Sequence, residues 1–168
     1  MADLRSFGFV ARPDARVLIL GSMPGQASLN AQEYYAHKQN AFWRIMGVLV
    51  GATPDLPYVQ RLEKLTAAGI ALWDVIAACE REGSLDANIV GKSIRPNDFA
   101  RFLAEHPGIR RICFNGGTAA DSFRRHVQPG LDVARYELIR LPSTSPAHAT
   151  FTFAQKLAAW SAGIGAPN

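Results

Sequence analysis

Cysteine is scarce in this chain: of 168 residues only Cys79 and Cys113 carry a thiol. They lie far apart and lack the paired spacing of metal ligands, so neither a zinc centre nor an iron–sulfur cluster is expected. Cys113 stands in an apolar run and reads as a small buried hydrophobe. Long apolar runs are missing too. Arg, Pro or Gly interrupts each one well short of the roughly 18 residues that a membrane span needs. The start, Met1-Ala2-Asp3-Leu4-Arg5, lacks the basic-then-apolar plan of a secretory signal, which makes the cytosol the expected setting, with no membrane partner. There is no internal repeat, low-complexity tract or linker. Charged residues make up 19% of the chain against 48% hydrophobic, which excludes a disordered chain; the length fits one domain, residues 1–168, with a sizeable core.

Acidic residues are outnumbered, 14 against 18 Lys and Arg, for a formal net charge of +4. That balance permits a polyanionic partner without demanding one. The basic clusters Arg110-Arg111 and Arg124-Arg125-His126, with Arg135 and Arg140, read individually as solvated faces.

Four short apolar runs, at 17–20, 70–73, 112–114 and 138–141, read as buried strands because none alternates with polar residues. Helical patterns separate or follow them at 41–50, 58–68, 97–104 (with Asn97 as cap), 118–126 and 152–162. The polar stretch 79–96 reads as a long loop, and the Ala-Pro-Asn tail as frayed. Strands alternating with helices predict a three-layer α/β/α fold around a central, four-stranded, mostly parallel sheet. Right-handed crossovers bring the turns 21–25, 74–76, 115–117 and 142–148 to one edge of that sheet, where a ligand would bind.

The first of these turns, Gly21-Ser22-Met23-Pro24-Gly25, is followed by Tyr34-Tyr35-Ala36-His37 and Asn40-Ala41-Phe42-Trp43. Aromatic and amide groups crowded beside a strand-end turn suit a flat, polar ligand. With Leu72-Trp73-Asp74-Val75-Ile76, Gly83-Ser84-Leu85-Asp86, Phe114-Asn115-Gly116 and the run from Leu141 to Ala147, the order and spacing resemble the uracil-DNA glycosylase superfamily, and within it the hypoxanthine-DNA (deoxyinosine) glycosylase branch. The resemblance runs from Val17 to about Trp160.

It implies a monofunctional DNA glycosylase that hydrolyses the N-glycosidic bond of a deaminated base, hypoxanthine with uracil as a second candidate, in double-stranded DNA. No metal or organic cofactor is implied, and a monomer is. Where the mismatch-specific uracil branch carries a water-positioning Asn, this chain has Met23, whose thioether orients water poorly. The resemblance moves that role to Asn40, which could equally cap the helix that follows. Tyr35 matches the position that stacks on the base, or it packs in the core. Asp74 stands where uracil-type members read the base edge. An ionised carboxylate accepts a ring N–H, which hypoxanthine and uracil have and adenine and cytosine lack; alternatively Asp74 caps a neighbouring element or pairs with an arginine. Met23 and Asn115 complete the base-binding set, Asn115 also being suited to satisfying local backbone.

The loop Pro142-Ser143-Thr144-Ser145-Pro146-Ala147-His148 resembles the superfamily's DNA-wedging loop. Ser143, Thr144, Ser145, Pro146 and His148, with Gly21, Ser22, Pro24 and Gly25, are its expected DNA contacts. Leu141 stands where uracil-type enzymes have a leaving-group histidine; His148 could substitute, or remain an exposed residue. Lys38, Arg44, Arg95 and Lys156 are possible phosphate contacts. The alternatives left open are a mismatch-specific uracil or thymine glycosylase, a non-catalytic damaged-DNA binding module, and an enzyme of free nucleosides.

Overall fold

A computed structural model describes residues 3–165; the tail read above as frayed lies outside the described residues. Four strands form the central sheet: β2 (Val17–Gly21), β3 (Ile70–Asp74), β6 (Arg111–Asn115) and β7 (Glu137–Leu141), in the order β3-β2-β6-β7 with every pairing parallel. Six helices accompany them: α1 (Gln26–Ala31), α2 (Phe42–Val50), α3 (Tyr58–Ala67), α4 (Phe99–Glu105), α5 (Gly117–His126) and α6 (Phe153–Ile164).

The apolar runs lack polar alternation because both sheet faces are covered. Alternate residues enter two different cores. Leu18, Leu20, Ala71, Trp73, Ile112 and Phe114 face α4 and α5, packing with Phe99, Phe102 and Phe123. Ile19, Ile70, Leu72, Cys113 and Leu141 face α2, α3 and α6, packing with Phe42, Ile45, Leu65 and Trp160. The three-layer expectation therefore holds, and Cys113 is buried as expected.

The second crossover departs from the expected pattern. After β3 only Val75 intervenes before β4 (Ile76–Glu80), which leaves the main sheet for a small antiparallel one with β1 (Asp3–Arg5) and β5 (Arg95–Pro96). The expected turn at 74–76 is thus a single residue between two strands, and the apolar residues after Asp74 form a strand of a second sheet that their hydrophobicity does not announce. The stretch 79–96 begins in β4 and holds two single-turn 3₁₀ helices, Asp86–Asn88 and Gly91–Ser93, before β5. Asn97 is not a helix cap. Asp98 caps α4 by accepting from Arg101 N, while Asn97 Nδ2 donates to Asp74 O at 2.7 Å. α1 leaves no mark in the sequence, because its six residues fall below the length at which periodicity can be read. Arg110, Arg124 and Arg125 are exposed, whereas Arg111 reaches Glu137 and the carbonyls of Gly163 and Ile164 at the end of α6.

Helix α6 begins with a reciprocal cap between Thr152 and Gln155 and buries Trp160 completely. The Trp160 indole also donates to Pro142 O at 2.9 Å, joining the core to the loop after β7. Trp160→Ala should therefore lower stability by about 3–5 kcal/mol, read as a shift in the urea unfolding midpoint.

Candidate active site

All four expected turns meet at the carboxyl edge of the parallel sheet, around a cleft of 790 Å³. Each site residue expected there, from Gly21 through Gly25, Tyr35, Asn40, Asp74, Asn115, Ser143 through Pro146 and His148, lines it. The cleft is also lined by residues to which the sequence reading gave no role, among them Ser84, Leu85, Asp86, Asp121 and Arg140. The signal for the first three was present in Gly83-Ser84-Leu85-Asp86; it carried resemblance without an assigned chemistry.

The floor is set by strand register. Gly21 and Asp74 are paired residues on β2 and β3. A Cβ on Gly21 would stand 2.6 Å from Asp74 Oδ1 and 2.8 Å from the Tyr35 hydroxyl. Glycine here is what lets a carboxyl and a phenol approach the same point. Asp74 is 3% exposed, and its Oδ2 has no hydrogen-bond partner; the Tyr35 hydroxyl has none either. Neither alternative role for Asp74 is realised: among the described residues its side chain caps nothing and meets no arginine. Burial, and next the negative charge of Asp86, push the Asp74 carboxyl up to about 7. It is thus not the fully ionised acceptor expected from the sequence, but a group shared between its acid and base forms near neutrality. The same burial, with Asp74 nearby, keeps the Tyr35 phenol protonated.

Tyr35 adopts a left-handed backbone, φ 56°, uncommon for a bulky residue. Its ring stacks on Phe42 with centroids 4.1 Å apart and planes at 25°. The core-packing and cavity-lining readings of Tyr35 are therefore both realised: the ring leans on a core residue while lining the cleft. Asn40 shows a similar double engagement. Its Oδ1 accepts from Phe42 N at 2.9 Å, a capping contact made from one position ahead of the N-cap residue of α2, Ala41, so the capping reading holds in this displaced form. A carbonyl oxygen has two lone pairs, and the amide of Asn40 still borders the cleft. Met23 is 6% exposed and packs with Phe114 and Trp73 in one core while touching the cleft.

The loop after β7 is fixed from three sides. Asn115 Nδ2 donates to Thr144 Oγ1, and Asn115 Oδ1 accepts from Thr144 N, both at 2.9 Å. The amide expected to read a base is in this way committed to Thr144, and local satisfaction is its observed role. Thr144 O accepts from Ala41 N, tying the loop to the Asn40 turn. Lys156 Nζ donates to His148 O at 2.8 Å and to Ser145 O at 3.4 Å from beneath. Lys156 is 6% exposed, so it is a strut of the loop rather than a free phosphate contact; burial, then Arg44, lower its basicity. Arg95 is likewise engaged, with Asp3 in the small sheet. Lys38 and Arg44 are exposed, Arg44 over the Phe153 ring, and His148 is half-buried with Nε2 unpartnered. Arg140 lies exposed at the cleft, its guanidinium over Gly117 at the start of α5.

Facing that loop, the 21–25 turn is held by the 81–86 segment. Ser22 Oγ donates to the Asp86 carboxylate at 2.9 Å. Arg81, 2% exposed, donates from Nη2 to Pro24 O and from Nε to Gly83 O. Gln26 N donates to Ser84 Oγ at 2.9 Å. Among the described residues, no cluster of three or more His, Cys, Asp or Glu could hold a metal, and no helix is long and apolar enough to cross a membrane.

A carboxyl whose affinity for protons is raised by folding destabilises the fold as it ionises. Stability should fall as pH rises from about 4 to about 7, where the folded state holds a proton that the unfolded chain has released. Asp74→Asn removes this penalty. Its urea unfolding free energy should exceed that of the parent by about 2–4 kcal/mol at pH 8, the gap closing toward pH 4.

The family model described as the Uracil DNA glycosylase superfamily matches residues 7–162. Two relatives, each called "Hypoxanthine DNA glycosylase", are similar along most of their length. The one from Methanosarcina acetivorans is 38% identical over 149 residues, covering 88% of this chain and 90% of the relative. The one from Methanosarcina barkeri is 34% identical over 145 residues, covering 86% and 87%. A solution NMR structure from Methanosarcina acetivorans, described as a candidate uracil DNA glycosylase, superposes with a TM-score of 0.77 at 33% identity, covering 98% of this chain and all of that one. With the family's match spanning nearly the whole described sheet and its edge, this chain belongs to the uracil-DNA glycosylase superfamily.

Proposed function

We propose that this protein is a monofunctional DNA glycosylase that hydrolyses the N-glycosidic bond of a deaminated base, hypoxanthine first, in double-stranded DNA. The observation that carries the reading is the unpartnered Asp74 carboxyl on the floor of the cleft, beside Tyr35 and opposite Asn40. Two relatives named for hypoxanthine support the choice of base.

In this reading the base leaves the stack and lies against the Tyr35 ring, which Phe42 backs from behind. The Asp74 carboxylate accepts the N1–H that deamination gives the purine. Adenine presents a bare N1 there, and two acceptors would oppose each other. The bond between C1′ and the base breaks with its electron pair moving to the base. The amino end of α5 opens onto the cleft, and its dipole favours that negative charge. Water adds to C1′, and the proton it loses neutralises the departing base anion, leaving free hypoxanthine and an abasic sugar. Asn40 orients that water with the lone pair left free by its bond to Phe42 N; the cap fixes the amide for the task. No lysine matches a nucleophile position, so the chemistry is hydrolysis without a Schiff base.

Asn40→Ala should slow single-turnover release of hypoxanthine by about 10²–10⁴-fold, within the range of a lost water-orienting group. Asn40→Ser retains a capping oxygen but lacks the reach, so it should show the same kinetic loss with a smaller change in melting temperature. A rate within a few-fold of the parent in both variants would remove Asn40 from catalysis.

Because Asp74 ionises near 7, release of hypoxanthine should rise with pH between about 6 and 8. Asp74→Asn should flatten that limb and weaken the preference for deoxyinosine over deoxyadenosine. The measurement is excision from matched duplexes carrying hypoxanthine, adenine, uracil, xanthine or a G·T mismatch. Binding to the hypoxanthine duplex without abasic product would favour the non-catalytic reading, and full discrimination by Asp74→Asn would remove Asp74 as the sensor.

A further inference from the structure

Emptying a position in a duplex leaves a gap in the base stack, and proteins that distort DNA fill such gaps with apolar side chains. The loop that resembles the wedging loop has no large apolar side chain at its tip. Between Pro142 and His148 it offers Ser143, Thr144, Ser145, Pro146 and Ala147. Its hydroxyls and backbone suit phosphates better than stacked bases. The opposite rim differs. Leu85 is 53% exposed and lines the cleft; the other large exposed hydrophobics, Phe9, Val48, Val59 and Phe151, do not.

The backbone around Leu85 is held on both sides. Gly83, at φ 68°, takes Arg81 Nε on its carbonyl at 2.8 Å. Ser84 accepts from Gln26 N, and Asp86 accepts from Ser22 Oγ, each at 2.9 Å. Leu85 O accepts from Asn88 N at 3.0 Å, closing a 3₁₀ turn. The neighbours of Leu85 are thus tied to the 21–25 turn, while its own side chain has solvent as its main surroundings. An apolar group held out in water by a rigid loop, at the mouth of a cleft that admits a base, is prepared to bury its surface in something flat and apolar.

We propose that Leu85 is the wedge that enters the base stack as the damaged nucleotide leaves it. The inference rests on the glycosylase reading above and adds a division of labour between the rims. The 142–148 loop grips the backbone, and the Gly83-Ser84-Leu85-Asp86 turn supplies the apolar plug. Insertion exchanges the hydrated Leu85 surface for base faces and holds the duplex open during the reaction.

The test uses the full chain and two readouts. The first is fluorescence of 2-aminopurine placed next to a tetrahydrofuran abasic analogue in a duplex, which reports unstacking and requires no turnover. The parent should raise this signal on binding; Leu85→Ala should lose most of the rise, and Leu85→Met should restore it. The second is the ratio of hypoxanthine release from duplex to release from single strand, which Leu85→Ala should lower about ten-fold or more, since only the duplex has a stack to prise apart. Leu85→Ala behaving like the parent in fluorescence would overturn the proposal, as would the loss appearing in Pro146→Ala instead. A parent that raises the fluorescence but releases no base would count against the glycosylase reading and leave the wedge supported.

Discussion

A carboxyl group buried without a cation is the constraint around which the cleft is organised. Asp74 is carried to the sheet edge by the register of β3 on β2, and its neighbours do nothing to neutralise it. The charge that acts on it is that of another carboxylate, Asp86. Such an arrangement costs stability, and natural folds keep it where a ligand supplies the missing partner. Gly21 is part of the same arrangement: a methyl group there would displace both Asp74 and the Tyr35 hydroxyl. The strained backbone of Tyr35 adds a second local cost at the same spot. Floor, wall and strain therefore converge on one point, the place where the proposed polar, planar base would meet unsatisfied partners.

The scaffold tolerates this because its stability comes from elsewhere. Two separate apolar cores sandwich four parallel strands, and alternate residues of each strand feed them. The site lies beyond the ends of those strands, in turns held by side-chain-to-backbone bonds. Asn115 with the Thr144 amide and hydroxyl, Lys156 with the Ser145 and His148 carbonyls, and Arg81 with those of Pro24 and Gly83 do this work. Each uses a polar residue where water would otherwise satisfy the loop. The turns are thereby preorganised for a ligand instead of ordered by it.

Much of this was legible in the sequence. Uninterrupted apolar runs gave the parallel sheet, and the Gly/Pro turns gave its functional edge, because both signals are local. The motif order gave the family. What escaped reading was set by contacts distant in sequence. The turn after Ile70–Asp74 is legible, but not that the residues following it, Ile76–Glu80, pair in a second sheet with strands far away in the chain. Asn97 looks like a cap, yet it bonds to Asp74 O across 23 positions. Lys156 reads as a surface cation until the loop it supports is seen above it. Asn115 is open in the sequence to either base contact or local satisfaction, and only the distant Thr144, which occupies both ends of its amide, decides between them. The protonation of Asp74 depends on burial and on Asp86, neither of which the local sequence reveals.

Helix α6 contributes no side chain to the lining of the cleft, yet Trp160 and Lys156 reach from it to Pro142, Ser145 and His148. The carboxyl-terminal helix is in effect the keel of the face proposed to grip nucleic acid. Inherited variation along its inner side would surface as faulty handling of DNA, in residues that no map of the reaction centre would include.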